Sequence, residues 1–256
     1  MASPGRRDLP FAYRAVVAIL RPILMVLTKR DWHGAENLPK TGGFVATPNH
    51  LSYTDPIVFA HFMVDNGRPP FFLGKEGVFR VPVLGAILRG AQQIPVYRNT
   101  GQAADAFRAA VAAVQEGKAV GVYPEGTLTR DPDLWPMVGK TGAARIALAT
   151  KCPVIPVAQW GPEKLLAPYS KKVGFLPRKT MQVTAGRPVD LSDLYDQPVT
   201  AALLREATAR IMAALTAQLE EIRGEKAPAE RFDPRKAGVS ETGNFRKQAR
   251  GQKEAS

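Results

Sequence analysis

The chain holds a single cysteine, Cys152, in 256 residues. A disulfide framework and a Cys-rich zinc site are thereby excluded, and nothing demands an oxidising compartment. Histidines are scarce as well, only His33, His50 and His61, and the sequence gives no sign of a metal site. Long apolar runs are missing too. The most apolar stretch, residues 11–28, is broken by Arg14, Arg21 and Pro22. A bilayer-spanning helix needs about 20 nearly uninterrupted apolar residues. A secretory signal needs a shorter core and a small-residue cleavage site. Residues 11–28 fit neither pattern. No internal repeat is present.

Acidic residues are in deficit, 23 against 35 Lys and Arg, for a net charge of +12. The excess sits at the ends. Residues 1–30 hold six Lys or Arg and one acid, and residues 224–256 hold eight and five, so the body between them carries only +4. Basic ends suit anionic lipid or nucleic acid. A nucleic-acid binder would interleave basic and aromatic residues on one face. Here the first basic set is embedded in an apolar helix, so an anionic membrane surface is the expected partner and nucleic acid is not. Arg6, Arg7, Arg14, Arg21, Lys29 and Arg30 would meet phosphates while Ile19, Leu20, Ile23, Leu24 and Leu27 enter the acyl boundary. Each basic residue near an anionic surface contributes roughly 1 kcal/mol. The alternative is a helix packed on the protein's own body with its arginines snorkelling.

The body alternates strand and helix. Residues 43–47, 71–73, 93–97, 119–123, 154–157 and 181–184 read as strands, and 56–66, 103–115, 141–150 and 201–222 as helices. Residues 78–90 read as loop and short helix around Pro82. This order predicts an α/β fold, a mainly parallel sheet covered by helices on both faces. The expected organisation is an interfacial helix over 1–28, a folded domain over 29–223, and a disordered basic tail over 224–256.

Chemistry concentrates where strands end. Residues 49–55 read Asn-His-Leu-Ser-Tyr-Thr-Asp, between a strand and a helix. Strand-to-helix corners carry the chemistry of open α/β sheets. A carboxylate bonded to one imidazole nitrogen fixes the tautomer and leaves the other nitrogen free as a base. Residues 122–130, Val-Tyr-Pro-Glu-Gly-Thr-Leu-Thr-Arg, follow another strand, with Pro124 and Gly126 fixing a turn. Arg98 ends the run Ile94-Pro95-Val96-Tyr97, and Lys75 follows Leu73-Gly74. Taken singly, such a His–Asp pair, a Pro-Glu-Gly-Thr turn or a strand-end Arg is common in any protein.

Together and in this order the blocks resemble the glycerolipid acyltransferase family, whose best-known members are lysophosphatidate acyltransferases. The family's Asn-His-x-Ser-x-x-Asp is matched by Asn49, His50, Ser52 and Asp55. Its second motif ends in an arginine, similar to Val96-Tyr97-Arg98. Its Phe-Pro-Glu-Gly-Thr-Arg-Ser is similar to residues 123–129, and its proline-bearing strand to Val154-Ile155-Pro156-Val157. The resemblance spans roughly residues 30–190 and implies a glycerol-3-phosphate acyltransferase-like fold.

The resemblance also implies a reaction. His50 would deprotonate a lysophosphatidate hydroxyl as it attacks an acyl thioester, with Asp55 orienting His50. Phosphatidate would be the product. The co-substrate would be acyl-CoA or acyl-acyl carrier protein, with no bound cofactor. The acceptor's phosphate needs fixed cations, of which Arg98 is the first candidate and Lys75 and Arg130 the next. Glu125, Gly126 and Thr127 would shape the pocket. The place of action would be the cytoplasmic face of the cell membrane, as a peripheral or monotopic protein. One departure stands out: the family's arginine after Gly-Thr is Leu128 here, so its charge falls to Arg130 or Lys140. Other acceptors within the same class are glycerol-3-phosphate, another lysophospholipid, or a glycolipid hydroxyl. A non-catalytic lipid-binding descendant is disfavoured by the intact His50 and Asp55.

Ser52 reads as a helix-capping or loop-fixing hydroxyl, because the chain has no Gly-x-Ser-x-Gly elbow. His33 and His61 have no carboxylate at useful spacing and read as structural or exposed. Trp135 and Trp160 fall in loops after the third and fourth blocks, and either could pack internally or touch lipid. Cys152 reads as a small buried apolar residue.

Overall fold

The computed structural model describes residues 9–96 and 103–240. Seven strands form one sheet: β1 (Thr28–His33), β2 (Phe44–Pro48), β3 (Pro70–Lys75), β4 (Ile94–Val96), β5 (Ala119–Gly121), β6 (Val154–Trp160) and β7 (Lys179–Ala185), in the spatial order β1-β7-β6-β2-β5-β3-β4. All neighbours are parallel except β6 and β7. The expected mainly parallel sheet is therefore present, and the β7–β1 pair runs against the other five strands.

Period-two alternation divides the core. Phe44 and Ala46 of β2 point to one face, with Ile155 and Val157 of β6. There they meet Val58, Phe59, Phe62 and Met63 of α2 (Asp55–Asp65). Val45, Val120 and Val154 point to the other face. That face is covered by α5 (Ala103–Gln115), α6 (Gly142–Thr150) and α8 (Ala201–Arg223), through Ala110, Ile146 and Ile211 among others. β2, β5 and β6 are buried on both faces, so they read as continuous apolar runs.

β1 was not expected as a strand. Its sequence Thr-Lys-Arg-Asp-Trp-His carries charge and is largely exposed, as an edge strand tolerates and a buried one does not. Short helices α3 (Glu76–Phe79), α4 (Leu84–Gly90) and α7 (Pro162–Leu165) fill the connections.

The N-terminal helix α1 (Phe11–Leu27) packs one side on the body. Tyr13 is buried and donates to the Pro70 carbonyl at 2.9 Å, and Gly90 of α4 lies against Ala12. Two cations expected to face lipid are engaged otherwise. Arg21 and Arg30 both reach Asp65, at 2.6 and 3.2 Å. The outward residues are Phe11, Ile19, Ile23, Met25 and Val26, while Leu20, Leu24 and Leu27 turn half inward. Among the described residues no helix is long and apolar enough to cross a membrane.

Residues 224–240 depart from the expected disordered tail. Gly224 ends α8 in the left-handed region (φ 66°), and the chain turns back onto the body. Phe232 then accepts from the Val138 amide at 3.1 Å. Ala227 packs against the cluster around Trp135, and its amide donates to Glu220 Oε1 at 2.9 Å.

Candidate active site

The two chemistry-bearing loops emerge side by side. β2 and β5 are parallel neighbours with Ala46 opposite Gly121, and the Val122 amide donates to the Ala46 carbonyl at 2.9 Å. The chain therefore leaves both strands at the same carboxyl edge of the sheet.

Asp55 opens α2, where the positive end of the helix favours a carboxylate. From there it folds back on its own loop. Its Oδ2 accepts from His50 Nδ1 at 3.0 Å, from the Ser52 amide at 2.7 Å, and from the Leu51 amide. The five-residue spacing is what lets one oxygen collect all three. An ionised carboxylate only accepts, so Nδ1 carries the proton and Nε2 keeps its lone pair. Asp55 has no exposed surface. Burial pushes its pKa up, opposed by His50 and the two amides.

The glutamate bend grips the same corner. Glu125, 1 % exposed, accepts from the His50 amide through Oε1 at 3.0 Å and from the Met137 amide through Oε2 at 3.1 Å. The Thr129 amide donates to the His50 carbonyl at 2.8 Å. The backbone of His50 is thus held at both its N–H and its C=O by the third-block loop. The Tyr123 ring lies 4.2 Å from the imidazole, centroid to centroid, tilted by 31°. Gly126 has φ 68°, a conformation that a side chain would strain.

Polar side chains fix the rest of the corner. Asn49 exchanges hydrogen bonds with the backbone of Gln159 at 3.0 and 2.7 Å, continuing the β2–β6 ladder beyond its last paired residue. Ser52 Oγ donates to the Leu166 carbonyl at 2.6 Å and accepts from the Thr54 amide at 3.1 Å, the expected loop-fixing arrangement.

The candidate cations separate. Lys75 is exposed at the end of β3, on the same sheet edge. Arg130 is 3 % exposed, with its guanidinium 4.8 Å above the Tyr169 ring. Arg98 lies outside the described residues. Leu128 is buried, so that position packs rather than carrying charge. Tyr169 escaped sequence reasoning. Its hydroxyl donates to the Leu128 carbonyl at 2.9 Å across 41 residues, and no local pattern announces such a contact.

His33 and His61 do have carboxylate neighbours, contrary to expectation. His33 Nε2 is 2.7 Å from Asp31, two residues back on the same side of a strand, and His61 Nε2 is 3.6 Å from Asp65, one helical turn on. His33 is exposed on the edge strand β1, and His61 packs edge-on to Trp32. Trp135 is buried against Met212, Leu215 and Leu219 of α8. Trp160 ends β6 rather than lying in a loop. Among the described residues no three His, Cys, Asp or Glu side chains are grouped to hold a metal.

The family model described as Acyltransferase matches residues 29–160, more than half of the chain. This chain belongs to that acyltransferase family. A chloroplastic 1-acyl-sn-glycerol-3-phosphate acyltransferase of Brassica napus is 30 % identical over 163 residues, 63 % of this chain and 45 % of that protein. This acyltransferase thus spans about half the length of that relative. A 1-acyl-sn-glycerol-3-phosphate acyltransferase of Bacillus subtilis is 28 % identical over 214 residues, 82 % of this chain and 96 % of that one. The crystal structure of the 1-acyl-sn-glycerophosphate acyltransferase PlsC of Thermotoga maritima superimposes with a TM-score of 0.65 at 22 % identity, covering 87 % of this chain and 83 % of that chain, and shares the fold.

Burial pushes the Glu125 pKa from its ordinary 4.5 up to about 8, against the pull of the two amides, with Asp55 and Asp131 adding to the rise. Between those values the folded acyltransferase holds a proton that the unfolded chain has released. Stability should therefore fall as pH rises through that window, by on the order of 1 kcal/mol per pH unit. Glu125→Gln should flatten this slope in urea unfolding; equal slopes in variant and parent would show that Glu125 does not titrate there.

Proposed function

We propose that this acyltransferase moves a fatty acyl group from an acyl thioester to the free hydroxyl of 1-acylglycerol-3-phosphate, giving phosphatidate. The observation that supports it best is the His50–Asp55 pair held by the Glu125 bend at one sheet edge. His50 Nε2 accepts the hydroxyl proton as the oxygen attacks the thioester carbonyl. The tetrahedral intermediate collapses, the C–S bond breaks, and the departing sulfur takes the proton from the imidazolium. No ester on the enzyme is needed, and Ser52 is committed to its loop. Lys75, at the sheet edge, and Arg98 take the acceptor's phosphate, and Glu125, Gly126 and Thr127 wall the pocket. The donor is acyl-CoA or acyl-acyl carrier protein.

The enzyme works as a peripheral or monotopic protein on the cytoplasmic face of the cell membrane. The outward face of α1 supports this reading, with Phe11 78 %, Ile19 62 % and Val26 69 % exposed. Phe175 and Leu176 extend the apolar surface beside the end of α1, to which Arg178 is tied through the carbonyls of Met25 and Thr28. A buried aliphatic side chain contributes about 1.5–3 kcal/mol. Ile19→Glu with Val26→Glu should therefore weaken binding to anionic vesicles at least about tenfold. Unchanged flotation would show that this face does not meet the bilayer.

The buried Leu128, in place of the family's arginine, keeps a second reading open: another acceptor, such as glycerol-3-phosphate, a different lysophospholipid or a glycolipid. An acceptor panel with a labelled long-chain thioester separates the two. Lysophosphatidate should give the most product; faster turnover of a phosphate-free lysolipid would overturn this acceptor while keeping the reaction class.

A further inference from the structure

The loop that follows the glutamate bend runs along one stripe of α8. Thr208, Met212, Leu215, Leu219 and Arg223 recur at the three- and four-residue spacing that lines up one helix face. Trp135 packs on Met212, Leu215 and Leu219, and Gly139 lies against Met212 and Thr208. Arg223, in the last turn, ends the stripe. Its guanidinium carbon sits 3.9 Å from the centroid of the Trp135 ring and 4.6 Å from that of Trp160. The same group donates to the Asp133 carbonyl at 2.8 Å and to Glu225 at 2.7 Å. The side chain is 9 % exposed, and its Nε is buried with no hydrogen-bond partner among the described residues. The two ring faces offset the water that this cation has given up.

Each ring belongs to a stretch that grips His50. The Trp135 carbonyl accepts from Thr129 Oγ1 at 2.8 Å, and the Thr129 amide donates to the His50 carbonyl at 2.8 Å. Two residues beyond Trp135, the Met137 amide donates to Glu125, which also accepts from the His50 amide. Trp160 follows Gln159, whose backbone exchanges hydrogen bonds with the side chain of Asn49, the residue before His50. The polar and ring partners of Arg223 are Asp133, Glu225 and the two tryptophans, none of them in the histidine corner itself.

We propose that Arg223 is a positioning residue for acyl transfer: it fastens the stretches of Trp135 and Trp160 to each other and so sets the backbone of His50. This rests on the reading of the His50 corner as the catalytic site, and not on the choice of acceptor. The residue type fits the task. A planar guanidinium lies on aromatic faces while its edge still donates, and an ammonium does this less well. Arg223 also stands at the carboxyl end of α8, where a cation is favoured. Packing alone would call for an apolar side chain, as at Leu215 and Leu219 in the same stripe. The stretch that matches the family ends at residue 160, so none of its motifs announces Arg223.

Two substitutions separate positioning from packing. Arg223→Met keeps the length and apolar bulk of the side chain and removes the fork, and Arg223→Lys keeps the charge. Melting curves fix a temperature at which both variants are folded. There Arg223→Met should lower kcat about tenfold or more, because a small displacement of a reacting group is costly. KM for the acceptor and for the thioester should stay as in the parent, and Arg223→Lys should recover part of kcat. Amide hydrogen exchange, measured without substrate, gives a second view. The Met137 and His50 amides should exchange about tenfold faster in Arg223→Met, while those of Val45 and Val122 keep parental protection. Parental kcat in folded Arg223→Met, a raised KM with kcat kept, a lysine variant no better than the methionine one, or parental exchange at Met137 and His50 would each overturn the assignment. His50→Ala turning over at the parental rate would instead overturn the catalytic reading of the corner, and the exchange result separates that failure from a failure of the fastening.

Discussion

His50→Ala should lower acyl transfer by about 10²–10⁴-fold, the usual contribution of a positioned general base. An alkyl hydroxyl is almost wholly protonated at neutral pH, so it attacks a thioester well only if its proton is taken as the bond forms. Nε2 is the nitrogen that the Asp55 contact leaves available. The substitution should spare the fold. The imidazole side chain is 17 % exposed, and Asp55 Oδ2 keeps its two backbone amides without it. The check is a labelled-thioester assay beside a thermal melt. Turnover at the parental rate by a folded variant would remove His50 from the chemistry.

Asp55→Asn should cost nearly as much, about 10²-fold or more, for a different reason. Asp55 Oδ1 makes no hydrogen bond among the described residues, so an amide nitrogen can sit there while the carbonyl oxygen keeps the three donors of Oδ2. Geometry survives and the charge goes. The imidazolium formed during attack then loses its counter-ion inside a dry site, where such a pairing matters most. Because the two residues act as one unit, the double variant should be scarcely slower than His50→Ala alone. Additive losses would show that Asp55 acts apart from His50. A sharp fall in melting temperature for Asp55→Asn would mark it as a structural carboxylate instead.

Much of this fold was legible because burial leaves a mark on composition. The central strands β2, β5 and β6 are apolar on both faces, and α5 spans Ala103–Gln115 as its apolar face indicates. β1 was invisible because an edge strand needs no apolar face. The reversal of β7 against β6 was invisible because period-two patterning carries no sign of strand direction. The corner itself was legible, since Asp55 and His50 lie close in sequence. Its supports were not. Glu125 to His50, Tyr169 to Leu128 and Asn49 to Gln159 span 75, 41 and 110 residues, and only the folded sheet brings them together. The same holds for Arg21 and Arg30, which face Asp65 on another helix rather than lipid headgroups.

The two amides on Glu125 tie the imidazole to the local steadiness of a remote loop. If Met137 drifts, the Glu125 carboxyl group loses one anchor, and the histidine backbone feels it before any strand separates. Activity can then fade through small openings of that loop while the sheet remains whole, so inactivation on warming would precede melting.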